Sequence, residues 1–150
     1  MFGLRRAGGV LTIILAATTP VLAQQPSLAG HVKIASGSAF IVRQDTTLPA
    51  RPGEPVFPTD TLRTGVDGTV GITLKDDTRL SLGPSSELRL ERYVYAPGEG
   101  GFGMVVKFVT GVATYVSGRM AKLAPDSIRL ETPSAIVGVR GTTVAVRIEP

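Results

Sequence analysis

The chain has 150 residues, a length that fits one domain, and it contains no cysteine, so disulfides and thiolate metal sites are excluded. Aromatic residues make up only 5% and charges of both signs are interspersed, which argues against nucleic acid as a partner despite a formal net charge of +4.

At the N-terminus Arg5 and Arg6 precede an apolar run from Val10 to Ala17, and Val21-Leu22-Ala23 supplies the small residues of a cleavage site. That order is the signature of a secretory signal peptide. The run is shorter than the roughly 20 residues that a membrane-spanning helix needs, and Pro20 would interrupt a longer helix. The reading therefore expects residues 1–23 to be removed and 24–150 to be exported to the periplasm or cell envelope, with no transmembrane span in the mature chain. Loss of Arg5 and Arg6 lowers the net charge from +4 to +2.

From Lys33 onward the apolar residues repeat with period two. Val70, Ile72 and Leu74 share one face, Leu80 and Leu82 alternate after Lys75-Asp76-Asp77, and Leu88 and Leu90 resume beyond Gly83-Pro84-Ser85-Ser86, ahead of Tyr93 and Tyr95. Gly, Pro, Asp and Ser separate the runs, and Asp67-Gly68 reads as a tight turn. Strands are expected near 32–35, 38–43, 61–64, 69–74, 79–82, 87–94, 103–109, 112–117, 127–132, 135–139 and 142–148. Residues 118–123 are too short a stretch to claim as a helix. Pro49, Pro52, Pro55 and Pro58 read as a rigid extended connection rather than a docking ligand, and Pro97 to Gly103 as a hairpin end. Short strands without helices to cover them must close sheet against sheet or coil against coil. The fold class is all-β, either a compact two-sheet roll or a short β-solenoid-like domain. The segments TGVDGTVGITLKDDTRLSLG and TPSAIVGVRGTTVAVRI echo each other loosely, each with an apolar strand, a glycine turn and a second strand.

Four blocks carry a family resemblance. They are Gly37–Arg43; Leu62–Gly65 with Asp67–Leu74; Asp77–Ser86 with Leu88; and Thr132–Thr142. In this order they resemble the FecR domain family over roughly residues 31–148, so that 24–150 reads as one FecR-like all-β domain. The resemblance implies an extracytoplasmic β-rich domain, described in the family as solenoid-like or two-sheeted. Some members are sigma-factor regulators that relay signals from outer-membrane receptors. Those carry a cytoplasmic sigma-binding segment and a membrane span, which this sequence does not display, so a stand-alone envelope member is expected. The structural positions of the blocks are Gly65, Asp67, Gly68, Asp77, Gly83, Pro84, Thr132, Pro133, Gly138, Arg140, Gly141 and Thr142. Their glycines belong where strands reverse or approach closely. Thr64, Thr132 and Thr142 can satisfy backbone groups at turns, and Gly141→Val is expected to destabilise strongly.

Little in the sequence suggests chemistry. His31 is the sole histidine and has no nucleophile motif around it; Asp76 and Asp77 are neighbours in a turn whose side chains should diverge. No zinc or calcium spacing is present, and no cofactor is expected. Tyr93, Tyr95 and Phe102 are the candidate interface residues, with glycan as one ligand class left open. The expected function is a non-enzymatic periplasmic or envelope domain for binding or scaffolding, whose partner is another envelope protein. The alternative is a periplasmic sensory component of envelope signalling related to sigma-factor regulation.

Overall fold

A computed structural model describes residues 3, 8–10, 12–20, 27–139 and 143–149. Within the leader, residues 8–10 and 12–20 form no helix or strand and are exposed; the expected cleavage site at 21–23 lies outside the described residues.

Twelve strands form one sheet that curls into a half-barrel. They are β1 (Gly30–Ser36), β2 (Ala39–Arg43), β3 (Thr46–Pro49), β4 (Pro55–Val56), β5 (Thr61–Thr64), β6 (Thr69–Leu74), β7 (Arg79–Leu82), β8 (Glu87–Ala96), β9 (Gly101–Val116), β10 (Ile128–Thr132), β11 (Ala135–Gly138) and β12 (Thr143–Ile148). The long strand β9 belongs to both halves of the sheet. Its first part pairs with β8 and β10, and one half runs β3-β2-β5-β8-β9-β10-β11; its second part pairs with β7 and β12, and the other half runs β4-β1-β6-β7-β9-β12. All pairings are antiparallel except β9 with β10.

The alternation of apolar residues explains why these strands form here. Val70, Ile72 and Leu74 are all buried on β6, as are Leu80 and Leu82 on β7. In the other half Ile41, Leu62, Leu88, Val106 and Phe108 are buried, and the inward faces of both halves join in one core with Met104, Tyr115 and Leu130. Enclosing each such side chain contributes about 1.5–3 kcal/mol, which a curled sheet obtains without covering helices.

Several expectations need correction. Residues 103–109 and 112–117 form one strand, because Gly111 takes φ 85°, a conformation that lets β9 bend without leaving its ladders. Strand β3 was not anticipated: Gln44 and Asp45, at φ 46° and 64°, close a hairpin from β2 with a residue pair seldom used for that turn. The proline-rich stretch is a packed connection containing the end of β3 and all of β4, with Ala50 and Val56 buried. The tight turn expected at Asp67-Gly68 is present, closed by the Gly68 N–H on the Gly65 carbonyl (3.0 Å), and it carries the chain from β5 in one half to β6 in the other. The loose echo is not a structural repeat either, since β6 pairs with β7 whereas β11 and β12 lie in different halves. Residues 118–123 do include a short helix, α1 (Arg119–Leu123).

Candidate functional site: motif corners and an aromatic hairpin end

Residues of three family blocks meet where the chain crosses between the sheet halves, at the β5–β6 and β7–β8 connections. The turn Gly83–Ser86 links β7 to β8 and is held from both sides. Thr64 Oγ1 donates to the Gly83 carbonyl (2.6 Å) and accepts the Ser86 N–H (2.9 Å), while the Ser85 N–H donates to the Gly65 carbonyl (2.9 Å). Ser86 Oγ donates to the Pro84 carbonyl and accepts the Val112 N–H (2.8 Å) just after the bend in β9. A Cβ on Gly111 would meet Ser86 Oγ at 2.2 Å, so the bend and the turn occupy each other's space. Gly83 itself is less restricted: a Cβ added there would make only ordinary contact, 3.5 Å, with Val112.

A second corner joins Gly37-Ser38 to residues 65–68. The Gly65 N–H donates to the Ser38 carbonyl (2.8 Å), and Asp67 Oδ1 accepts the Ser38 N–H (3.3 Å). Hydrogen bonds from the Ser38 hydroxyl and amide hold the Asp67 carboxyl below its ordinary range. Gly68 is required for closeness rather than for left-handed φ, because a Cβ there would lie 1.9 Å from the Ser38 carbonyl oxygen.

The third corner is the β6–β7 turn, where the two aspartates diverge. Asp77 adopts φ 66°, is exposed, and pairs with Arg119 at 2.6 Å. Asp76 is fully buried and accepts from the Tyr93 hydroxyl (2.8 Å), the Thr78 hydroxyl (2.7 Å), and the Thr78 and Met120 N–H groups (3.3 and 3.2 Å). Its own N–H donates back to the Tyr93 oxygen (3.0 Å). Burial, then the bond to Asp76, raises the Tyr93 pKa, so the hydroxyl remains a donor. Burial and the nearby Asp76 charge push Tyr115 up to about 12; its buried hydroxyl forms no well-aligned hydrogen bond. A further buried carboxylate, Asp60, takes the Arg43 Nε and Nη2 at 2.9 and 2.8 Å, and Arg43 also lies over the Phe57 ring.

At the last block Thr132 Oγ1 accepts the Ala135 N–H (3.0 Å), closing the exposed turn at Pro133 and Ser134 between β10 and β11. Gly138 ends β11 with nothing within 4 Å of an added Cβ and no positive φ, so neither a close approach nor a special backbone requires glycine there. Arg140, Gly141 and Thr142, and with them the expected effect of Gly141→Val, lie outside the described residues.

Of the three expected interface residues, Tyr93 lies inside, 6% exposed. The cause is a β-bulge between Leu90 and Arg92: the additional residue, Glu91, reverses the parity that put Leu88 and Leu90 inward, so Tyr93 points inward too. Tyr95 and Phe102 remain half-buried at the β8–β9 hairpin end, with ring centroids 6.2 Å apart and planes tilted by 57°. Phe102 borders an open hollow of about 510 Å³ with Leu123 and Pro125; Tyr95 borders another of about 180 Å³ with Leu28 and Lys75. His31 is exposed on β1. Among the described residues no three His, Cys, Asp or Glu side chains converge as metal ligands.

Sequence reasoning missed Asp60, Gly111 and the buried hydrogen-bond network of Asp76, of which it had anticipated only the divergence from Asp77. For Gly111 there was a signal, a glycine between two apolar alternating runs; for the carboxylates there was none, because their partners lie 17 or more positions away, apart from Thr78 and the Phe57 N–H beside them.

These features define an all-β domain built on one continuous sheet, with polar corners saturated by its own chain. The family model described as FecR protein matches residues 60–150, more than half of the sequence, and the chain belongs to that family. The match begins at Asp60, so the block Gly37–Arg43 precedes it although it packs against Gly65 and Gly68. No curated protein and no solved structure matches the chain. The family is associated with the cell envelope and its signalling. Among the described residues no helix is long and apolar enough to cross a membrane.

Proposed function

We propose that the protein is a non-enzymatic binding or scaffolding domain of the cell envelope, acting through another envelope protein. The observation that carries this reading is the use of its buried polar groups. Asp60, Asp76, Thr64 and Ser86 are engaged by backbone and side chains of their own fold, so none is presented as an acid, base or nucleophile to a bound substrate. What the fold offers outward is the Tyr95–Phe102 pair beside its hollows, together with open strand edges.

A photo-crosslinking residue at Phe102 in intact cells tests the reading. A stable adduct with one envelope protein is the expected result, and turnover of any substrate by the purified protein would overturn the non-enzymatic assignment. Membership of the FecR family favours a second reading, a sensory component of envelope signalling. That role predicts an adduct whose yield changes with an external stimulus, whereas a scaffold retains its partner throughout.

A further inference from the structure

We propose that the free edge of β12 receives an extended acidic segment of a partner protein as an added strand. The inference rests on the binding reading above and names the place and the partner's chemistry. Among the described residues, four strands border the sheet: β3, β4, β11 and β12. Three are poor templates. Strand β3 has four residues and ends at Pro49, β4 has two and begins at Pro55, and β11 has four, follows the Pro133 turn and ends at Gly138. Strand β12 has six, TVAVRI, paired to β9 in unbroken register with neither proline nor bulge. Proteins normally shorten, charge or distort such edges, because a regular one pairs with other chains.

The orientation of the edge follows from its neighbour. The Val112 N–H and C=O both point toward the β7 side, to Ser86 Oγ (2.8 Å) and the Gly83 N–H (2.9 Å). Antiparallel ladders alternate, so Ala113 and Tyr115 direct their backbone groups to β12, opposite Val146 and Val144. The N–H and C=O groups of Thr143, Ala145 and Arg147 therefore face the open side. Their side chains are exposed on the outer face, whereas Val144, Val146 and Ile148 lie only half-buried against the core. An added strand would complete that apolar cover.

Charge selects the occupant. The outward positions of β6, β7, the second part of β9 and β12 hold Arg79 and Arg147, against one exposed carboxylate, Glu149, just beyond the end of β12, and neither arginine is ion-paired among the described residues. A strand with carboxylates on its outward side and apolar residues inward complements this edge, while a basic strand is repelled.

Fluorescence anisotropy with a short labelled peptide alternating valine and glutamate tests the proposal, with the valine–lysine peptide beside it. The glutamate peptide is expected to bind, and Ala145→Pro to weaken it by about tenfold or more. That substitution removes an N–H that β9 does not use, so circular dichroism should be unchanged, and Ala145→Thr should bind normally. If Ala145→Pro fails to fold, hydrogen exchange on the unaltered protein decides: the amides of Thr143, Ala145 and Arg147 should slow when the peptide is added. Equal binding of the lysine peptide, no effect of Ala145→Pro in a folded variant, or unslowed exchange would overturn the proposal. So would self-association through β12, which would make a second copy the occupant. Failure here together with a persistent adduct at Phe102 removes the edge proposal and leaves the binding reading standing.

Discussion

Tyr93 reaches Asp76 with one hydroxyl that both donates to the carboxylate and accepts the backbone N–H, so its removal leaves a buried donor and a buried anion short of a partner. Tyr93→Phe is expected to cost about 1–3 kcal/mol, read as a lower urea midpoint with unchanged slope. Glycines divide by their surroundings. Gly68→Ala places a methyl group 1.9 Å from a backbone oxygen and should cost more than about 2 kcal/mol, whereas Gly138→Ala enters open space and should stay within about 0.5 kcal/mol; thermal unfolding of the pair checks the contrast. Asp67 adds a pH dependence. Its folded pKa is held below the ordinary 3.8, so the unfolded chain takes up the proton first. The stabilisation is complete above pH 3.8 and disappears as pH falls through the lowered value. In Asp67→Asn, acidification below pH 3.8 should therefore reduce the urea midpoint less steeply than in the parent.

Strands β5, β6 and β7 coincide with the stretches expected from alternation, because each has one buried face and is bounded by turn residues. Strand β8 defeats the same logic at a single residue. Leu88, Leu90 and Tyr93 are all inward, a spacing that no regular strand permits, and only the bulge at Glu91 reconciles it. Deleting Glu91 removes the additional residue and leaves Leu88, Leu90 and Tyr93 at alternate positions, so Tyr93 should stay inward, facing Asp76. The expected result is a folded protein that keeps its near-ultraviolet tyrosine signal; a signal approaching that of free tyrosine would mean that Tyr93 had left Asp76 and would contradict this account of the bulge. The interface expectation for Tyr93 failed for this reason, while Tyr95, beyond the bulge, stayed half-exposed against Phe102. The corners at Thr64–Ser86 and Ser38–Asp67 were legible as turns, but their mutual grip was not, since it joins residues 19 to 29 positions apart.

At the scale of the whole molecule the two sheet halves are inseparable, since β9 supplies strand pairings to both and its bend at Gly111 interlocks with the Ser86 turn. Unfolding should accordingly be a single transition, with circular dichroism and tyrosine fluorescence coinciding in urea, and two resolved transitions would contradict the coupling. The shared strand also orders events during synthesis. Strands β7 and β8 both await residues 101–116, so no upstream segment can close its apolar face while those residues remain inside the ribosome. A polypeptide that stays open until more than three-quarters of it has been made gives a chaperone that holds unfolded chains time to engage it first.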